Sequence, residues 1–137
     1  MFAGREKSIL SIDWGSKYIG LAYVKENSKV VMPIGYILND GSVFFNLGDL
    51  LMRYRVKNIV VGYPKKSEII QELIDGFIKN LSMMISEDIV IDKIDEDYTT
   101  VEAGEVISNF RAKEEKTTKD TISAMKILER YLVIKDI

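Results

Sequence analysis

Apolar residues recur along this chain with two periods. "KSILSIDW" and "KYIGLAYVKEN" are nearly continuous apolar runs of strand length, joined at Gly15 and Ser16 by residues that suit a tight hairpin. Runs apolar on both faces belong in the middle of a sheet with helices above and below. "KVVMPIGYIL" continues the meander, but Pro33 cannot donate to a ladder, which assigns this third strand to an edge and predicts the local order three, two, one. After the turn "NDGS", the period lengthens: "VFFNLGDLLMRYR" reads as an amphipathic helix weakened by Gly48. "KNIVVGYP" is a short buried strand closed by Gly62 and Pro64. Ile70, Leu73, Ile74, Phe77, Leu81 and Met84 then recur at helical spacing. "EDIVIDKIDED" reads as a more polar fifth strand at the other edge, and Thr99 with Glu102 forms a capping box that opens a helix through "TTVEAGEVISNFRA". "KEEKTTK" reads as a charged loop, and "DTISAMKILERYL" as a closing helix with Ala124, Ile127, Leu128 and Tyr131 on one face.

A hairpin-built antiparallel half followed by strand-helix-strand crossovers implies an α/β fold. The expected architecture is a five-stranded mixed sheet of order 3-2-1-4-5 with helices on both faces, the ribonuclease-H-like layout. Residues 1–137 are expected to form one domain, since a chain of 137 residues can bury a real core without staples. Hydrophobic residues at 47% and charged residues at 29% match an ordinary globular balance. No apolar run approaches a membrane span, and "MFAGREKSILSIDWG" carries no signal-peptide core, so a cytoplasmic place is expected, with no membrane partner.

The chain has no histidine and no cysteine, which excludes disulfides, thiolate or imidazole zinc sites and histidine general bases together. Any chemistry must come from carboxylates, hydroxyls, amines or a hard metal ion. With 19 basic against 21 acidic residues, the net charge of −2 gives no overall nucleic-acid footprint, so a polyanion would need a local basic patch.

The carboxylates fall in three places. Asp13 ends the first strand on the parity of Ile9 and Ser11, at the carboxyl end of what would be the central strand, where ligands of open α/β sheets gather. Asp95, Glu96 and Asp97 crowd the end of the fifth strand, with the inward-facing member undetermined by periodicity. Asp120 opens the last predicted helix and shares a stripe with Ala124, Ile127 and Tyr131. Acids converging there would repel one another unless a divalent cation neutralised them, and a set of oxygens alone favours Mg²⁺ or Mn²⁺. Such ions serve phosphodiester hydrolysis. Each acid also has a plainer role: Asp120 as a helix-start residue favoured by the macrodipole, and "IDED" as a solvated strand end.

"IDWGSKYIGLA" (12–22), "VGYP" (61–64), "DEDYTTVEA" (95–103) and "KDTISAMKILERYL" (119–132) follow one another in an order that resembles the bacterial family of Holliday junction resolvases also described as pre-16S rRNA nucleases. That family shows Asp-Phe-Gly-Thr-Lys with Ile-Gly-Leu-Ala, then Val-Gly-Leu-Pro, then Asp-Glu-Arg-Leu-Thr-Thr-Val-Glu-Ala, and last an aspartate with small residues before a Leu-Gln-Arg-Tyr-Leu helix. The resemblance runs from about Ser8 to Leu132. It implies a ribonuclease-H-like, Mg²⁺- or Mn²⁺-dependent endonuclease acting on precursor ribosomal RNA or branched DNA. Asp13, Glu96 and Asp120 would be its catalytic, metal-binding carboxylates, Asp95 would support them from behind, and Lys17 would lie near the substrate backbone. A resolvase cutting two strands symmetrically would be expected to work as a homodimer.

The chain departs from the pattern at two points. Asp97 stands where the family has arginine, reversing a charge beside the implied site. After "VGYP" the sequence passes through "KKSE" directly to a helix, without the family's Asn-x-Asp-Gly type loop, so Lys65 and Lys66 are candidate substitutes as point charges. Arg111, Lys113, Lys116 and Lys119 offer a further basic patch near Asp120, diluted by Glu114 and Glu115. Two other readings fit parts of this text. A catalytically weak domain of the same fold would bind nucleic acid or a ribosome-assembly partner. An actin-like ATPase fragment would use the Asp-x-Gly turn for phosphate, but needs a second such domain.

Overall fold

The computed structural model describes residues 6–95 and 112–135, with the side chains of 112–117 left aside. Strands β1 (Ser8–Asp13), β2 (Tyr18–Lys25) and β3 (Met32–Leu38) form the meander, followed by helix α1 (Val43–Arg53), β4 (Val56–Tyr63), α2 (Glu68–Met84), β5 (Val90–Asp95) and α3 (Ala112–Ile134). The sheet has five strands in the order β3-β2-β1-β4-β5. β1 pairs antiparallel with β2 and parallel with β4. The expected mixed sheet and its order are therefore present, with β1 at the centre.

Strand alternation divides the core in two. Leu10, Ile12, Ile19, Leu21, Ile59 and Val61 point to one face and pack with Leu47, Ile74, Phe77 and Leu81 of α1 and α2. Ile9, Val24, Val60 and Ile94 point to the other and pack with Ile127, Leu128, Tyr131 and Leu132 of α3. On α2 the buried stripe is Ile74, Phe77 and Leu81, while Leu73 and Met84 of the predicted stripe are exposed. One helix lying on a flat sheet face covers a narrower arc than the six positions spanned.

The largest departure concerns α3. The segment "KEEKTTK", expected as a charged loop, is helical, so α3 begins at Ala112 and Asp120 sits in its third turn instead of at its start. The macrodipole of a helix N-terminus, which fades within the first turn, cannot be the reason for Asp120. Lysine, glutamate and alanine are good helix formers, and Glu115 and Lys119 have the favourable i, i+4 spacing; high charge alone does not make a loop. The capping box at Thr99 and Glu102 and its helix lie outside the described residues.

Hydrogen bonds between described residues tie α3 to the sheet. Ser11 Oγ donates to the Ala124 carbonyl at 2.6 Å, Thr121 Oγ1 donates to the Gly35 carbonyl at 3.1 Å, and the Tyr131 hydroxyl donates to Asp92 Oδ2 at 2.9 Å. Gly35 has φ of 128° beside a register shift in the β2–β3 ladder, a bulge open to glycine. Burial first, and then the bond to Asp92, push the Tyr131 hydroxyl from its ordinary value of 10.0 up to about 12. In the unfolded chain Tyr131 ionises first, so the unfolded state holds fewer protons and stability falls as pH rises from about 10 to about 12. Denaturant unfolding across that range should show the fall in the wild type and a weaker one in Tyr131→Phe.

Candidate functional site

Asp13 ends β1 with its side chain on the α3 face, and its register partner on β2 is Gly20. Paired residues on neighbouring antiparallel strands have Cα atoms about 5 Å apart. Gly20 is also where α3 comes closest to the sheet: a Cβ built on it would run into the backbone carbonyl of Asp120 and reach 3.0 Å from the Asp120 Cα. The absent side chain thus brings the Asp120 backbone down beside Asp13. Both aspartates are 7% exposed, and Asp120 Oδ2 is sealed from solvent. Ser11 and Ala22, the next pair along the same face, are small as well, and the Ser11 bond to Ala124 fixes α3 one turn further on.

The structure thus places Asp120 beside the strand pair that carries Asp13, although Asp120 comes from within a helix. β5 supplies the neighbouring strand end. Asp92 and Ile94 face α3, whereas Lys93 and Asp95 face α2 and the preceding loop: Lys93 Nζ lies 2.7 Å from Asp75, and Lys65 Nζ lies 3.3 Å from Asp95. Asp95 therefore pairs with Lys65 on the side away from α3. Glu96 and Asp97 lie outside the described residues, as do Tyr98 and Arg111, and the side chains of Lys113 and Lys116. Lys119 is half-buried on α3, while Lys17, Lys65 and Lys66 are exposed near the carboxyl ends of the central strands.

In sequence, Tyr18, Tyr63 and Tyr98 lie near the site segments, where an aromatic stacks on a base or serves as a core or rim residue, whereas Asp75, Lys93 and Gly20 were not singled out by the sequence. Tyr63, at the end of β4, donates to Asp75 Oδ2 at 2.9 Å, and Lys93 Nζ stands 4.5 Å from its ring centroid. The bonds from Lys93 and Tyr63 hold the Asp75 carboxyl below its usual range, and the same Asp75 raises Lys93. Tyr18 is buried and meets the exposed Tyr36 edge-on at 5.4 Å, so its ring is not a free stacking surface. Gly20 had a readable signal, because a lone glycine inside an apolar strand marks close approach of another backbone. An apolar groove of about 570 Å³ lined by Phe44, Met52, Met84 and Ile85 lies between α1 and α2, on the opposite face from Asp13 and Asp120.

The donor chemistry at Asp13 and Asp120 suits a hard divalent cation: carboxylate oxygens, shielded from water, on supports fixed by the ladder and by the close packing of α3 on Gly20. Among the described residues no helix is long and apolar enough to cross a membrane.

The family profile described as "RuvX: Holliday junction resolvase" matches residues 7–133. A protein of Sulfurihydrogenibium sp. (strain YO3AOP1), named "Putative pre-16S rRNA nuclease", is 35% identical over 128 residues, covering 90% of this chain and 88% of that protein. One of the same name from Malacoplasma penetrans (strain HF-2) is 36% identical over 135 residues, covering 93% and 94%. The Fowlpox virus resolvase, solved with its substrate Holliday junction DNA, superposes with a TM-score of 0.57 at 14% identity, covering 93% of this chain and 98% of that one, which shows a shared ribonuclease-H-like fold. The chain belongs to the RuvX Holliday junction resolvase family, and proteins named "Putative pre-16S rRNA nuclease" are among its relatives.

Proposed function

We propose that this chain is a single-domain, divalent-metal-dependent endonuclease that hydrolyses phosphodiester bonds in precursor 16S rRNA or in branched DNA. The observation that carries the reading is the convergence of buried Asp13 and Asp120 over Gly20, at the carboxyl end of the central strand. Glu96 is the third carboxylate, the member of the Asp95, Glu96 and Asp97 cluster that the family resemblance selects. Asp95 faces away from α3, and its part is to hold Lys65 at the rim.

Asp13, Glu96 and Asp120 would hold Mg²⁺ or Mn²⁺. The bound ions supply Lewis-acid activation of a water and charge for the leaving oxygen. The protein's own residues do the rest. Asp13 is oriented by the β1–β2 ladder, and Asp120 by a helix packed through Gly20, Ser11 and Thr121, so neither must reorganise when substrate arrives. Lys17, Lys65, Lys66 and Lys119, with Arg111, Lys113 and Lys116, are the cations that would meet the phosphate backbone. Because Lys65 is paired with Asp95, substrate must compete for it. On a four-way junction two copies would act together; on precursor RNA one suffices. The place of action is the cytoplasm.

Protein stripped of metal with a chelator should cleave neither a four-way junction nor precursor 16S rRNA. Addition of Mg²⁺ or Mn²⁺ should restore cleavage of at least one, and the faster reaction names the substrate. Cleavage that persists in chelator would contradict the metal-dependent reading. Salt-dependent binding without cleavage in any metal would favour the non-catalytic domain.

A further inference from the structure

Ser123 is fully buried, and its hydroxyl has no hydrogen-bond partner among the described residues. A serine inside a helix usually satisfies its hydroxyl on the carbonyl four residues back; this one does not. Buried polar groups without a partner are uncommon enough that each calls for a reason.

The helix geometry says where this hydroxyl is aimed. At about 100° per residue, Thr121 and Ser123 lie roughly 200° apart around α3. Thr121 reaches Gly35 on β3, so Ser123 turns the other way, toward the side of β1, β4 and the end of β5. It lies three residues after Asp120, a spacing that makes the two side chains neighbours, about 5 to 6 Å apart at Cβ. Helical side chains also lean toward the preceding turn, which here is the turn of Asp120. The resembling family follows its aspartate with small residues, and alanine would fill this place without an unsatisfied hydroxyl.

We propose that Ser123 is a positioning residue for Asp120: when the site holds its divalent cation, the Ser123 hydroxyl donates to the Asp120 carboxylate and keeps it in the ligating orientation. This rests on the metal-site reading above. Groups that orient a metal ligand from behind change metal affinity about 10- to 100-fold when removed. A residue kept only for its small size would change it by nothing.

The test measures Mn²⁺ affinity by calorimetry and, separately, the melting temperature of the metal-free protein, for the wild type, Ser123→Ala and Asp13→Asn. Ser123→Ala is nearly isosteric and should fold. Its metal-free melting temperature should be equal to that of the wild type or higher, because an unsatisfied hydroxyl is gone, while its Mn²⁺ dissociation constant rises about tenfold. Unchanged Mn²⁺ affinity would overturn the proposal and leave the metal site intact. A lower metal-free melting temperature would also overturn it, by showing that the fold already satisfies the hydroxyl. Wild-type protein that binds no Mn²⁺, or an Asp13→Asn variant that binds it unchanged, would instead sink the metal-site reading and the proposal with it.

Discussion

Gly20→Ala is expected to lose about 3 kcal/mol or more of folding stability, a drop of roughly 10 °C in melting temperature for a chain of this length. The new Cβ would run into the carbonyl of Asp120 and come 3.0 Å from its Cα, and the three atoms nearest to it are all backbone. A flexible side chain could swing aside; a helix held by Ser11, Thr121 and Tyr131 can only shift as a body. That shift would also pull Asp120 away from Asp13, so cleavage should fall further than stability accounts for. Gly76→Ala is the matched control. A Cβ there meets nothing within 4 Å, so the change should be neutral or stabilising by about 0.5 to 1 kcal/mol, as glycine-to-alanine changes inside helices are. Thermal melts of the two variants beside the wild type check the contrast, and a Gly20→Ala melting temperature within 2 °C of wild type would refute the packing account.

Asp13→Asn has the second large effect, with the opposite pattern. Asparagine has nearly the same shape, and β1 does not depend on the charge to form, since Ile9, Leu10 and Ile12 bury its body. Asparagine also keeps a carbonyl oxygen that accepts hydrogen bonds, so the metal-free melting temperature should change little. In the proposed mechanism Asp13 helps to hold the cation that stabilises developing negative charge, so the same change should remove about 4 kcal/mol or more of transition-state stabilisation, roughly a thousandfold in rate. Rate loss without stability loss separates a functional acid from a structural one. Gly20→Ala loses both.

The sheet order was legible because three local signals agreed: hairpin residues at Gly15 and Ser16, a proline at position 33 that excludes a central place, and strand-helix-strand units that make crossovers. Asp13 was legible for a similar reason, as a lone acid ending a run that is otherwise buried on both faces. Asp120 was half legible. Its stripe with Ala124, Ile127 and Tyr131 gave the correct face, but the charged residues before it read as a loop, so its place within the helix was missed. Charge density separates poorly between exposed loops and exposed helical turns, because both face water. The roles of Gly20 and Gly35 depend on what crosses the sheet above them, Asp120 in one case and Thr121, 86 residues away in sequence, in the other, contacts that no local period reports. The phase of β5 needed its partners, since Tyr131 with Asp92 and Lys65 with Asp95 show which parity faces α3 up to Asp95.

The central claim is that Asp13 and Asp120 meet in order to do chemistry. The most direct test is the rate of cleavage of precursor 16S rRNA and of a four-way DNA junction, in Mg²⁺, by wild type and Asp13→Asn, each paired with its melting temperature. The account predicts that wild type cleaves at least one substrate and that Asp13→Asn cleaves it about a thousandfold more slowly while melting at nearly the same temperature. Equal rates for the two proteins would contradict it.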